Sequence, residues 1–372
     1  MKPGNRIKEV KDKNKIKRLG DEYSYLISNP ISKSSNFILS KLFSIESRCS
    51  TALGPGIITS LSLLKNAKKG SRIFLCTDGL ANEGIGSIKK SKANEEAIKE
   101  YKLFYEKIGE EAKKKGFSIN LITFKDEYSD IEVLMKMVVK SGGDITRVIP
   151  EKIEDQFYSL VESNIIGFDT NLEIILPTIL KFRNENHTKL LNFESKYKSS
   201  IGNIKKHMMD YFEFKFKKTR FLSDMNLNIN NLKKLPIQCI IEYKDKNNGK
   251  YMKVFTVLKS ISSNKEEILK RANLKIVSGN AIQKSAKMAM EGNYLKAQIN
   301  IMAWKNFLNS NKNQDNNAKE TYSQFKANMN NFNQNLAAAQ INNNKGISDR
   351  FAGQIYNLSK TTNQVNSKNE NK

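Results

Sequence analysis

The chain is poor in the residues that most catalytic sites use. It has 3 cysteines (Cys49, Cys76, Cys239), 2 histidines (His187, His207), 1 tryptophan and 6 prolines in 372 residues. Cysteines this far apart supply neither a disulfide framework nor a zinc pattern, which points to a cytoplasmic setting. Histidines lying among lysines supply neither a zinc site nor a histidine-based triad. No apolar run approaches the roughly 18 residues of a membrane helix, so no transmembrane segment is expected. The basic N-terminus lacks an apolar h-region, so neither is a signal peptide. No Gly-x-x-x-x-Gly-Lys-Ser/Thr phosphate loop occurs; the Gly249-Lys250 pair lies in a hairpin turn. Gly-x-Ser-x-Gly elbows and His-Glu-x-x-His helices are also missing. The paired carboxylates Glu95-Glu96 and Glu110-Glu111 fall on solvated helix faces. The expectation is a protein that is not an enzyme.

What the chain has in excess is positive charge, a formal +25 at neutral pH. Nearly all of it is lysine; arginine, the better fork for phosphates and bases, is scarce. The basic residues are scattered instead of clustering around aromatic stacking platforms. A solvated lysine surface explains the charge, and no specific nucleic acid is expected. A mean hydropathy of −0.55 fits a chain with a core and much polar surface besides.

The organising stretch runs from Ser50 to Ser87. Ile57, Ile58, Leu61 and Leu64 repeat at helical spacing, and Lys68-Lys69-Gly70 ends that helix. Arg72 to Thr77 is a short apolar run bounded by turns, which predicts a buried strand. Helix, turn, strand and an acidic residue at the strand's end describe half of a doubly wound α/β unit, where ligands bind outside the carboxyl ends of the strands. Thr51 and Asp78 fall there. A hydroxyl and a carboxylate converging at such an edge suit Mg²⁺, a hard cation that prefers oxygen ligands. Equally, Thr51 caps the helix and Asp78 makes an Asx turn with Gly79.

The phrases Thr51-Ala-Leu-Gly-Pro-Gly and Cys76-Thr-Asp-Gly-Leu-Ala-Asn-Glu-Gly-Ile-Gly resemble the second half of a von Willebrand factor type A (VWA) domain. The version they look most like is that of circularly permuted Ras-type proteins, related to the trunk of the inner COPII coat subunits. Ser141-Gly-Gly-Asp-Ile-Thr-Arg-Val is similar to the pattern near the last strand of that fold. The resemblance implies a metal-ion-dependent adhesion site built from an Asp-x-Ser-x-Ser motif, a later Thr and a later Asp. Thr51 and Asp78 sit at the Thr and Asp positions. The Asp-x-Ser-x-Ser motif is absent, and the nearest approach, Asp224-Met-Asn-Leu-Asn, lies in a polar loop. The implied site is incomplete, so the expected Mg²⁺ affinity is weak. The first strand of the family is not seen either, so the domain is expected to be N-terminally partial, and exposed sheet edges imply self-association. The Ras-like GTPase half of the family is not on this chain.

In chain order, residues 1–20 read as a basic lead-in and 21–166 as the partial α/β domain. Helices are predicted at Ser32–Ser44, with Ser32 or Ser34 as cap, and at Lys92–Lys115, Ile131–Val139 and Glu151–Glu162; strands are predicted at Phe117–Phe124 and Thr146–Ile149. Ile153, Phe157, Leu160 and Val161 are expected inward. Residues 167–262 read as a small antiparallel, β-sandwich-like unit with strands at Asn171–Leu180, Tyr211–Phe216, Leu235–Tyr243 and Tyr251–Leu258; Asp245 to Gly249 is a hairpin turn. Residues 263–308 read as a helical hairpin turning at Gly292-Asn293. Residues 309–372 form an Asn-rich tail, with one short amphipathic helix in which Tyr322, Phe325, Met329, Phe332 and Leu336 step by three and four. That seam is expected to pack within the chain, and residues beyond Leu358 to be disordered.

Three functions fit these features. One is a VWA-type module that binds a protein partner, with an incomplete metal site at Thr51 and Asp78. Another is a structural coat or trafficking subunit resembling a COPII trunk. The third is a basic binder of nucleic acid or anionic membrane, which a salt titration would reveal.

Overall fold

The computed structural model describes residues 11–27, 30–44, 50–88, 95–125, 127–161, 165–183, 185, 189–192, 194–206, 208–224, 232–245, 247–341 and 347–360. His187, His207 and Cys49 lie outside them. The chain divides into two compact units: residues 1–162 with 348–353, and residues 163–347 with 354–372.

The first unit opens with α1 (Lys13–Glu22). The basic lead-in is therefore partly helical: Asp12 caps it, accepting from Asn14 N and Lys15 N, and it buries Ile16 and Gly20. A Cβ on Gly20 would lie 2.6 Å from both Thr59 O and Ser62 Cβ, so the missing side chain lets α1 approach the next helix but one. After α2 (Ile31–Phe43) and α3 (Leu53–Leu63) come β1 (Arg72–Thr77), α4 (Glu95–Lys115), β2 (Ser118–Phe124), α5 (Ile131–Ser141), β3 (Ile145–Val148) and α6 (Ile153–Val161).

The strands form one parallel sheet in the order β1-β2-β3. β1 runs in register from Arg72 opposite Ser118 to Thr77 opposite Thr123, and β2 pairs with β3 from Leu121 opposite Ile145. β2 is buried on both faces, as a central parallel strand requires. Helices α4 and α5 pack against it, and the buried residues of the unit include Leu53, Ile57, Ile58 and Leu61 of α3, Tyr105, Ile108 and Ala112 of α4, and Val133, Leu134, Met137 and Val138 of α5.

Three expectations need correction here. β1 is not fully buried, because among the described residues it stands at the edge of the sheet: Phe74 and Leu75 are half-buried and Cys76 is exposed. α2 starts at Ile31 with Pro30 in the cap position and no side-chain cap, and it buries none of its residues. α6 leaves Ile153, Phe157 and Val161 exposed, although Phe157 still meets the Phe74 ring at 5.6 Å.

The second unit contains β4 (Ile165–Ile175), β5 (Leu180–Arg183), β6 (Leu190–Leu191), β7 (Lys196–Lys205), β8 (Glu213–Phe216), α7 (Thr219–Asp224), β9 (Lys234–Lys244) and β10 (Lys250–Ser260). An antiparallel sheet has the order β10-β9-β4-β7-β6, and β5 with β8 forms a separate ribbon. β7, a strand not expected from the sequence, pairs along β4. Leu172, Ile174, Leu176, Ile179, Leu180, Phe182, Tyr197 and Leu235 form the core, with Ile237, Cys239 and Ile241 packed against it.

Helices follow: α8 (Lys265–Lys270), α9 (Leu274–Met290), α10 (Tyr294–Asn311), α11 (Asn316–Ile341) and α12 (Asp349–Lys360). Gly292 takes a φ of 81° at the turn between α9 and α10, where Asn293 N reaches back to Met288 O at 2.9 Å. The Asn-rich region does not hold a single short helix. α11 has 26 residues and buries Phe325, Met329, Phe332 and Leu336, while its asparagines mostly face out. The first turn of α12 belongs to the first unit.

Candidate functional site

At the carboxyl end of β1, Thr77 makes the turn that Asp78 was expected to make. The buried Thr77 hydroxyl donates to Gly79 O at 3.0 Å and accepts from Gly79 N at 3.4 Å. Asp78 itself is exposed. Nor does Thr51 cap α3: Ala52 holds that position, without a side-chain cap bond. Thr51 is instead clasped through its backbone. Its N–H donates to Asn82 Oδ1 at 2.6 Å, and its carbonyl accepts from Asn82 N at 3.1 Å and Glu83 N at 3.2 Å. The loop after Asp78 is thereby tied to the residue that precedes α3.

Glycines permit that course. A Cβ on Gly54 would fall 2.0 Å from Ile85 O, and one on Gly86, at φ 79°, would fall 2.2 Å from the Phe104 ring. The loop's return is closed by Ile88 N on Ala81 O at 2.6 Å and by the Tyr105 hydroxyl donating to Gly86 O at 2.9 Å. The two glycine-bearing phrases are thus one packed structure, in which backbone must pass close to backbone.

A second polar cluster follows β2. Asp130, 1% exposed and left-handed at φ 55°, occupies the cap position of α5 but makes no side-chain cap bond there. The cap comes from Asp349. Its Oδ2 accepts from Ser129 N at 2.5 Å and its Oδ1 from Ile131 N at 2.7 Å. A carboxylate at a helix N-terminus satisfies orphan N–H groups and favours the helix dipole. Burial and the nearby Asp130 charge push the Tyr105 phenol well above its ordinary range. Asp349 was missed from the sequence because only its spacing from Phe351 and Ala352 hints at a helix start. Nothing local joins it to Ile131.

What this edge can do chemically is limited. Among the described residues, no group of three or more His, Cys, Asp and Glu side chains is placed to hold a metal ion. Thr51 and Asp78 offer one hydroxyl and one carboxylate. Although Cys76 is exposed, partial desolvation of its thiol raises it, which makes it a weaker nucleophile, not an activated one. No described helix is long and apolar enough to cross a membrane.

Comparison with known proteins extends this picture. Residues 36–156 match the Sec23/Sec24 trunk domain. The chain is similar to Circularly permutated Ras protein 1 of Dictyostelium discoideum, 23% identical over 317 residues, an alignment that takes in 84% of this chain and 35% of the relative. The chain thus spans about a third of the length of that curated relative. Among solved structures, the human COPII-coat protein Sec24c has a similar fold, with a TM-score of 0.57 and 15% identity over 89% of this chain and 46% of that one. The relation to coat trunks and to a circularly permuted Ras protein read from Thr51 to Gly86 stands on these findings. The VWA domain as such is not named among them.

Proposed function

We propose that the chain is a non-enzymatic assembly module of the coat-trunk kind, working in the cytoplasm by binding other proteins. The observation that carries this reading is the extent of the fold likeness. Similarity to Sec24c covers 89% of the chain, taking in the β-rich and helical unit as well as the α/β unit. A VWA-type adhesion module would rest on the first unit alone. The trafficking reading is therefore preferred over the adhesion reading, and the lysine surface is treated as solvated. Affinity-tagged chain, purified after mild crosslinking from cells that express it, is expected to bring down coat subunits in fixed stoichiometry. Recovery of the chain alone, with a catalytic turnover of its own, would refute the proposal.

The proposal includes the metal. Thr51 and Asp78 would be the protein's share of any Mg²⁺ site, but two donors do not make a tight one. The loop that ties Asn82 and Glu83 to Thr51 has its own structural reason in Gly54 and Gly86. Partner binding is accordingly expected without Mg²⁺. Titration calorimetry should show no saturable heat with micromolar Mg²⁺; saturable binding abolished by Asp78→Ala would overturn this.

A further inference from the structure

The least explained surface of the second unit is its outermost strand. All 11 residues of β10 are exposed. Among them are Tyr251, Val254 and Val257, with Met252 and Leu258 each 61% exposed and Phe255 49%. Among the described residues, no strand pairs with the side of β10 that faces away from β9.

The register shows what these side chains prolong. Tyr251, Lys253, Phe255, Val257 and Lys259 stand opposite Tyr243, Ile241, Cys239, Ile237 and Leu235, and the last four of that β9 set are core or packed against it. One face of β10 is thus the core surface carried one strand further, without a cover. Met252, Val254 and Leu258 add an apolar stripe to the other face, beside Lys250, Thr256 and Ser260. A strand apolar on both faces has the composition of one covered on both faces, so β10 sets hydrophobic side chains on an open edge. At a sheet edge it is a template for a further strand. The hairpin is well formed: Tyr243 and Tyr251 stack at 5.5 Å, and Gln238 donates to Thr256 Oγ1 at 3.2 Å.

Charge selects the occupant. β10 carries Lys250, Lys253 and Lys259 and no acidic residue. Lys253 lies between Tyr251 and Phe255 on the core-side face, its Nζ 6.0 Å from the Tyr243 ring centre. Lysine on an edge strand is a common device against pairing with a like strand. A second copy would double that charge, on a chain that already carries +25. A strand with carboxylates opposite Lys253 and Lys259 would neutralise it on one face. We infer that the outer edge of β10 docks an extended acidic strand of a partner polypeptide, apolar between its carboxylates, by strand addition. This rests on the assembly reading above and names the kind of partner it would take.

The test uses the full chain and a labelled peptide of alternating valine and threonine, carrying two glutamates spaced as Lys253 and Lys259 are. Glutamine and lysine versions serve as controls. Fluorescence anisotropy at low salt should show the glutamate peptide binding about tenfold tighter than the glutamine peptide, the size expected of two exposed ion pairs. The lysine peptide should not bind. The double variant Lys253→Glu, Lys259→Glu should invert the order, and hydrogen exchange should show new protection in β10 on binding. Equal binding of the glutamate and glutamine peptides, or binding of neither, would overturn the inference. So would a chain that sediments as a dimer with β10 already protected, since the edge would then belong to a second copy. Failure here would leave the assembly reading to its own test, the co-purified subunits.

Discussion

β2 and β10 are both strands with apolar side chains on both faces, and they meet opposite fates. β2 lies between β1 and β3 under helices, with Ile119, Leu121 and Ile122 at or near zero exposure. Among the described residues β10 has one neighbouring strand, and all of its own residues are open to solvent. The difference is supplied by position in the sheet, not by composition. A two-faced strand at the centre is a folding element; the same kind of strand at an edge is surface that folding has not used. That contrast locates stability in the first case and open surface in the second.

The sharpest way to break the comparison is a matched pair of truncations. Ile122→Ala should cost about 2–5 kcal/mol, the usual range for a fully buried aliphatic side chain. Phe255→Ala should stay within about 0.5 kcal/mol, as surface changes do. Urea midpoints at constant slope would measure both, and comparable losses at the two sites would show that β10 is packed against something.

Asp349→Ala probes the first unit from the other end of the chain. It removes both acceptors from Ser129 N and Ile131 N, which stay buried. The expected cost is about 1–3 kcal/mol, with lost amide protection in the first turn of α5. An unchanged α5 would mean that the turn caps itself through Asp130.

The smallest effect is electrostatic. Burial would raise the Glu111 carboxyl, but its bond to Lys17 at 2.9 Å and the charges of Lys17, Lys13 and Lys115 together hold it below the ordinary range. A lowered folded-state pKa stabilises above the unfolded value, about 4.3, and that contribution is lost as pH falls through the folded value. Glu111→Gln should therefore lower Tm near neutral pH, by an amount that shrinks below about pH 4. A difference independent of pH would assign the effect to packing instead.

Legibility followed how local each cause is. β1, β2 and the stripe of α4 could be read because apolar runs and helical spacing lie within their own segments. β7 could not: its sequence, KYKSSIGNIK, is largely polar, and only Tyr197 is buried. α1 hid among lysines because it needs only Ile16 and Gly20 to dock. In α11 the seam from Tyr322 to Leu336 was visible, but its surrounding asparagines read as low complexity. At the candidate site, Thr51 and Asp78 could be read as lying near the end of β1, while the roles of Asn82, Gly54 and Asp349 were not read. Those roles depend on backbone approaches and on a partner 218 residues away in the case of Asp349 and Ile131, which no spacing rule encodes.

Hydrogen exchange on the free, full chain tests the central contrast most directly. The account predicts that every amide in the middle of β2 is strongly protected. In β10, only the alternate amides bonded to β9 should be protected, and those pointing outward should exchange at close to the unprotected rate. Uniform protection along β10 in the free chain would contradict it, because the edge proposed for a partner would already be occupied.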